Sequence, residues 1–111
     1  MSDNFRGTCA EISLPHLVSN ARWLSQLADG FFCPMLKCNA YGHGDLEVAQ
    51  KLAAAGFSRF GLAFIEEGLR FRKNKLMDEE LLIFAPFDEV GARAILEYNL
   101  TPVLSLWSQL E

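Results

Sequence analysis

Three side chains capable of chemistry crowd one stretch, MLKCNAYGHG at residues 35–44: the amine of Lys37, the phenol of Tyr41 and the imidazole of His43. Lys37 ends an apolar run, a costly place to desolvate a charge unless chemistry uses it. Held against Met35, Leu36 and the neighbouring phenylalanines, an amine partly withdrawn from water becomes the better nucleophile toward an aldehyde, as Schiff-base formation requires. A structural lysine snorkelling from a strand end satisfies the same placement, and position alone does not separate the two. Tyr41 lies in the following loop, where its hydroxyl can donate to an anion while its ring covers a planar group. Gly42 and Gly44 flank His43 and remove side-chain bulk, so the backbone can turn sharply or approach a ligand. His43 itself reads as a residue that fixes the loop rather than a general base, and Asn39 as a turn former.

The elements that must position this stretch alternate between strand and helix. Residues 8–12 read as a short opening strand. Ser13 then offers an N-cap and Pro15 suits a first helical turn; Leu14, Leu17, Val18, Ala21, Leu24 and Ala28 recur at helical spacing until Gly30. Residues 31–36 form a continuous apolar run, the pattern of a strand covered on both faces. A helix over 45–55, ended by Gly56, precedes strand 60–64, helix 65–73, strand 81–85, helix 88–98 and strand 101–104. Ser105 reads as the cap of one more helix. Apolar strands joined by single amphipathic helices predict right-handed crossovers and a parallel sheet, with active-site loops after the strands' carboxyl ends, where Lys37 lies. Four core strands cannot close an eight-stranded barrel, which takes about 250 residues. The 111 residues are therefore expected to be the front part of a larger protein, with no internal domain boundary.

A formal net charge of −4 argues against nucleic acid or an anionic membrane as the main partner. The basic cluster Arg70, Arg72, Lys73 and Lys75 is flanked by Glu66, Glu67, Asp78, Glu79 and Glu80, and reads as a solvated helix face. Glu66 and Glu67 read as a solvated first turn favoured by the helix dipole. Cys9, Cys33 and Cys38 are odd in number and lack paired ligand spacing, so neither a disulfide framework nor a metal site is expected, and a reducing cytoplasm is the simplest home. The opening residues, MSDNFRGTCAEIS, are polar and acidic where a secretory signal would carry a basic segment and an apolar run, so none is expected, and no stretch is apolar enough to span a bilayer.

Residues 37–44, KCNAYGHG, resemble the pyridoxal-phosphate attachment motif of bacterial alanine racemases, V-K-A-N-A-Y-G-H-G, with Leu36 in place of valine and Cys38 in place of the usual small residue. The likeness extends outward. Residues 10–14 resemble the family's A-E-I-D-L, residues 60–63 and 66–70 its F-G-V-A and E-E-A-x-x-L-R, and residues 99–103 its fourth barrel strand. The resemblance implies an α/β fold: a partial (β/α)8 TIM-type barrel, roughly the first four βα units preceded by a short strand and a helix. Residues 1–111 would be that N-terminal portion, the rest of the barrel and a C-terminal β-domain lying outside them. It further implies that Lys37 holds pyridoxal 5′-phosphate and serves as one of two acid/base groups, and that Tyr41 contacts the phosphate. The second base would be a tyrosine from the partner subunit of a homodimer, so the 111 residues alone are not expected to racemise alanine. By the same likeness the substrate is alanine, interconverted between L and D forms in the cytoplasm to supply peptidoglycan. Other barrel enzymes using this cofactor, acting on other or basic amino acids, and a non-catalytic cofactor-binding module remain alternatives.

Overall fold

In the computed structural model, which describes residues 5–110, Ser13 caps helix α1 (Leu14–Leu27). Its hydroxyl accepts from the His16 N–H at 3.5 Å, and Pro15 occupies the first turn, where no N–H is needed. Then follow α2 (Lys37–Tyr41), a single left-handed turn, α3 (Asp45–Ala54), β1 (Arg59–Leu62), α4 (Ile65–Lys73), β2 (Glu80–Ile83), α5 (Glu89–Glu97) and β3 (Thr101–Pro102). A 3-10 turn at Trp107–Gln109 closes the described chain. Helices α3, α4 and α5 fall within a residue of their predicted bounds, because caps and a 3.6-residue period are local signals.

The three strands form one parallel sheet in chain order, with Phe60 opposite Leu81, Gly61 opposite Leu82 and Ile83 opposite Pro102. The fold is thus α/β, as the alternation predicts. Successive residues of a strand face opposite sides. Phe60, Leu62, Leu81 and Ile83 share one face and enter the core with Val48, Ala49 and Leu52 of α3 and Phe71 of α4. Gly61 and Leu82 share the other. A side chain at Gly61 would strike the Met35 thioether and come within 3.0 Å of Phe84, so the missing Cβ lets the 31–36 segment lie against β1.

Three expectations are corrected. Residues 8–12 are not a strand: they are irregular, exposed and outside the sheet, and a strand pattern is realised only against a pairing neighbour. Residues 31–36 pair through a single parallel bridge, Met35 to Gly61, with the Leu36 N–H donating to Gly61 O at 2.7 Å and the Gly61 N–H to Pro34 O at 2.8 Å. Pro34 has no N–H to add to a ladder, and Phe31 is 59% exposed rather than covered. Ser105 does not cap a helix. Gln109 Oε1 instead accepts from the N–H groups of Ser105 and Leu106 at 2.8 and 3.0 Å, closing a 3-10 turn.

Cys33 is half-buried beside Arg59 and Glu80, whereas Cys9 and Cys38 are exposed. Burial pushes the Cys33 thiol up from its ordinary value, Arg59 opposing and Glu80 adding to the effect. A raised pKa keeps the thiol protonated in the fold. Its contribution to stability is complete below the unfolded-state value and is lost as pH rises through the folded-state value. In mildly alkaline iodoacetamide, Cys33 is expected to be alkylated after Cys9 and Cys38, by about tenfold in rate for each unit of that rise. Peptide mapping against time checks this, and equal rates at all three would contradict it.

Candidate active site

Leu36, buried at 1% exposure, anchors the edge segment under β1, and the next residue, Lys37, is half-buried at its carboxyl end. Parallel pairing puts this end beside Ala63, which follows β1, and Phe84, which follows β2. There the backbone turns left-handed and stays so, with φ of 53°, 56°, 53° and 54° at Cys38, Asn39, Ala40 and Tyr41, then 88° at Gly42. Each non-glycine residue in this region costs about 1–2 kcal/mol, so four in succession need support from elsewhere.

Part of that support is internal. The Ala40 N–H donates to Leu36 O at 2.8 Å, and the Gly42 N–H is shared between Asn39 O at 3.1 Å and Cys38 O at 3.2 Å. The Gly44 N–H reaches Asn39 O at 3.0 Å. Asn39 Oδ1 accepts from the Asp45 N–H at 2.9 Å, tying the turn to the start of α3. His43 Nδ1 lies 2.9 Å from Ala40 O; a carbonyl only accepts, so this nitrogen carries the proton. Asn39 and His43 therefore hold the loop, the roles their types predict. The turn also returns Tyr41 toward Lys37: Nζ sits 5.7 Å from the centre of the Tyr41 ring, within cation–π range, and that ring is 61% exposed.

Further support comes from α4, through two side chains that sequence reading assigned to solvent. Glu67 Oε1 accepts from the N–H groups of Ala63 and Phe64, both at 2.9 Å, while its Oε2 accepts from the Cys38 N–H at 3.1 Å. Arg70 is ion-paired with Asp45, whose side chain is only 10% exposed. Glu67 and Arg70 are three residues apart and so share a helix face, a spacing visible in sequence; what that face meets is not. Arg72, half-buried, is likewise tied to the chain rather than free in solvent. Its guanidinium donates to the carbonyls of Met77 and Glu79 at 2.8 Å and of Tyr98 and Asn99 at 3.1 Å. Burial pushes its pKa down, against the pull of Asp78 and Glu79. Glu66, Lys73 and Lys75 are exposed, as expected.

Tyr98 is not brought to Lys37. It ends α5, which leads into β3, and so lies at the amino end of the sheet, with the Lys73 amine 5.4 Å from its ring centre. A cleft of about 740 Å³ between α4 and α5, lined by Phe64, Leu69, Phe87 and Val90, also excludes Lys37 and Tyr41. Among the described residues, no group of three or more His, Cys, Asp or Glu side chains could hold a metal ion, and no helix is long and apolar enough to cross a membrane.

The family model for the alanine racemase N-terminal domain matches residues 12–111. Alanine racemase of Carboxydothermus hydrogenoformans is 39% identical over 101 residues, covering 89% of this chain and 27% of that protein. The Geobacillus stearothermophilus alanine racemase is 40% identical over 75 residues, 66% of this chain and 19% of that protein. Among solved structures, alanine racemase from Bartonella henselae with covalently bound pyridoxal phosphate superposes with a TM-score of 0.76 at 30% identity, over 89% of this chain and 28% of that one. The chain thus spans about a quarter of the length of such relatives.

Proposed function

Because the chain belongs to the alanine racemase N-terminal domain family, we propose that residues 1–111 are the front part of a (β/α)8 barrel, roughly four βα units, whose Lys37 and Tyr41 hold pyridoxal 5′-phosphate. One observation carries this reading: the Lys37 amine lies 5.7 Å from the centre of the Tyr41 ring, at the carboxyl end of the parallel sheet. An aldehyde and a phosphate on one small planar molecule ask for an amine and a hydroxyl donor, and the residue types brought together here fit that chemistry. When bound, pyridoxal phosphate would supply an electron sink for the carbanion left by loss of an amino acid's α-proton.

The protein's part is orientation and proton traffic. Lys37 Nζ would hold the cofactor, then take or return a proton at the substrate's α-carbon on one face. Inverting that carbon requires a second acid/base group on the opposite face. Tyr98, at the other end of the sheet, does not supply it; a tyrosine of the partner subunit in a homodimer would. The substrate proposed is alanine, its L and D forms interconverted in the cytoplasm and its D form feeding peptidoglycan synthesis.

Reductive trapping tests the reading: the chain is incubated with pyridoxal phosphate, reduced with borohydride and peptide-mapped. A pyridoxyl mark concentrated on Lys37 is expected; a mark spread evenly over Lys51, Lys73 and Lys75 would overturn the assignment. With Tyr41→Phe the mark should stay on Lys37 while the half-labelling concentration rises about tenfold or more, the scale of one hydrogen bond to a charged group. An unchanged concentration would remove Tyr41 from the site. Sustained D-alanine formation from L-alanine by the 111-residue chain alone, lost on Lys37→Ala, would remove the need for a partner's group.

A further inference from the structure

Glu67 looks at first like a helix-capping residue. It is the third residue of α4, and one of its oxygens, Oε1, accepts from the Phe64 N–H just ahead of the helix and from the Ala63 N–H before that. Capping leaves the other oxygen free to face water. Here Oε2 instead spans 29 residues of sequence to accept from the Cys38 N–H. That N–H belongs to the peptide unit that begins at the Lys37 carbonyl, so its direction and the direction in which Lys37 leaves the sheet are set together.

The same face of α4 grips the far end of the loop. Arg70, three residues on, pairs with Asp45, whose own N–H donates to Asn39 inside the left-handed turn. One rigid helix therefore holds both ends of residues 38–45, in the conformation that is costly to adopt alone. We infer that α4 is a clamp on the Lys37 loop, in which Glu67 is a positioning residue for the Lys37 amine and Arg70 secures the opposite end. The inference rests on Lys37 being the cofactor lysine for its consequence in chemistry, but the clamp itself is a property of this chain.

Glu67→Gln separates clamp from cap. Glutamine keeps one carbonyl oxygen for Ala63 and Phe64, and turns an NH₂ group, which only donates, toward the Cys38 N–H. Amide hydrogen exchange read residue by residue by NMR is expected to show Cys38 exchanging about ten- to a hundredfold faster in Glu67→Gln, the loss of one hydrogen bond to a charged group. Ala63 and Phe64 should change by less than about threefold. In the same variant, borohydride trapping with pyridoxal phosphate should put a smaller mark on Lys37 relative to Lys73, which serves as an internal reference.

Unchanged Cys38 exchange would overturn the clamp, as would equal acceleration at Cys38, Ala63 and Phe64, which would report a general loosening of α4 rather than one lost hydrogen bond. If Glu67→Gln does not fold, the unaltered chain decides. With rising urea below the unfolding transition, protection at Cys38 should decline in step with that at Ala63 and Phe64, since one carboxylate closes all three; free exchange at Cys38 throughout would overturn the inference. A wild-type chain that takes no mark on Lys37 yet protects Cys38 through Glu67 would sink the cofactor reading and leave the clamp standing.

Discussion

Lys37→Arg is expected to abolish reductive labelling by pyridoxal phosphate at position 37 while leaving unfolding free energy within about 0.5 kcal/mol of the unaltered chain. Arginine keeps the positive charge, a long apolar stem for the half-buried position and the contact with the Tyr41 ring. What it lacks is a free lone pair. The guanidinium stays protonated at any pH the fold tolerates, so it cannot condense with an aldehyde. The substitution thereby separates a lysine needed for its charge from one needed for its amine, the two readings that its place at a strand end leaves open. Lys37→Ala should lose the label equally, which rules out an inhibitory effect of the larger guanidinium. Labelling of the arginine variant at unchanged yield on a neighbouring lysine, with the same concentration dependence, would show that the cofactor is recognised without Lys37 and would defeat the proposed function. The measurement is peptide mapping after borohydride, with denaturant melts alongside.

Phe71→Ala carries the largest expected effect on stability, about 3–5 kcal/mol, the range for deleting a buried aromatic ring and leaving its cavity. Phe71 has no exposed surface and lies on α4, against the core built by Phe60, Leu62, Leu81 and Ile83. Domains of this kind are stable by only about 5–15 kcal/mol, so the loss is a large share of the whole. The effect reaches the site as well. α4 presents Glu67 and Arg70 to the Lys37 loop, and a helix no longer seated by Phe71 cannot hold both ends of residues 38–45. Urea midpoints measured with the slope held constant check the number, Val90→Ala at a position 75% exposed serving as a control within about 0.5 kcal/mol. A Phe71→Ala loss under about 1 kcal/mol would mean that α4 is seated by something other than this ring.

The chemistry proposed for the site is read from residue types close together in the chain. Lys37, Tyr41 and the glycines around His43 announce an amine, a hydroxyl and a tight loop wherever the segment is placed. The helices were legible for a similar reason. Ile65–Lys73 is bounded by its own caps and periodicity, signals that span only a few residues. Residues 8–12 and 31–36 show where that stops: an apolar or alternating run states a preference, but pairing depends on a neighbour, and only Met35 found one in the sheet.

The left-handed turn was beyond local reasoning altogether. Cys38, Ala40 and Tyr41 each disfavour it, and nothing in KCNAY predicts four positive φ angles in a row. Glu67 and Arg70, distant in sequence, meet the two ends of residues 38–45, the segment that contains it. Those two charges looked solvated for the same reason. Sequence spacing tells which residues share a face of a helix, while the identity of the surface opposite that face is decided only when β1 and the Lys37 segment pair and bring the loop against α4. Residue chemistry and helical periodicity are local properties of the chain; the partner of each face is a long-range one, and the fold alone supplies it.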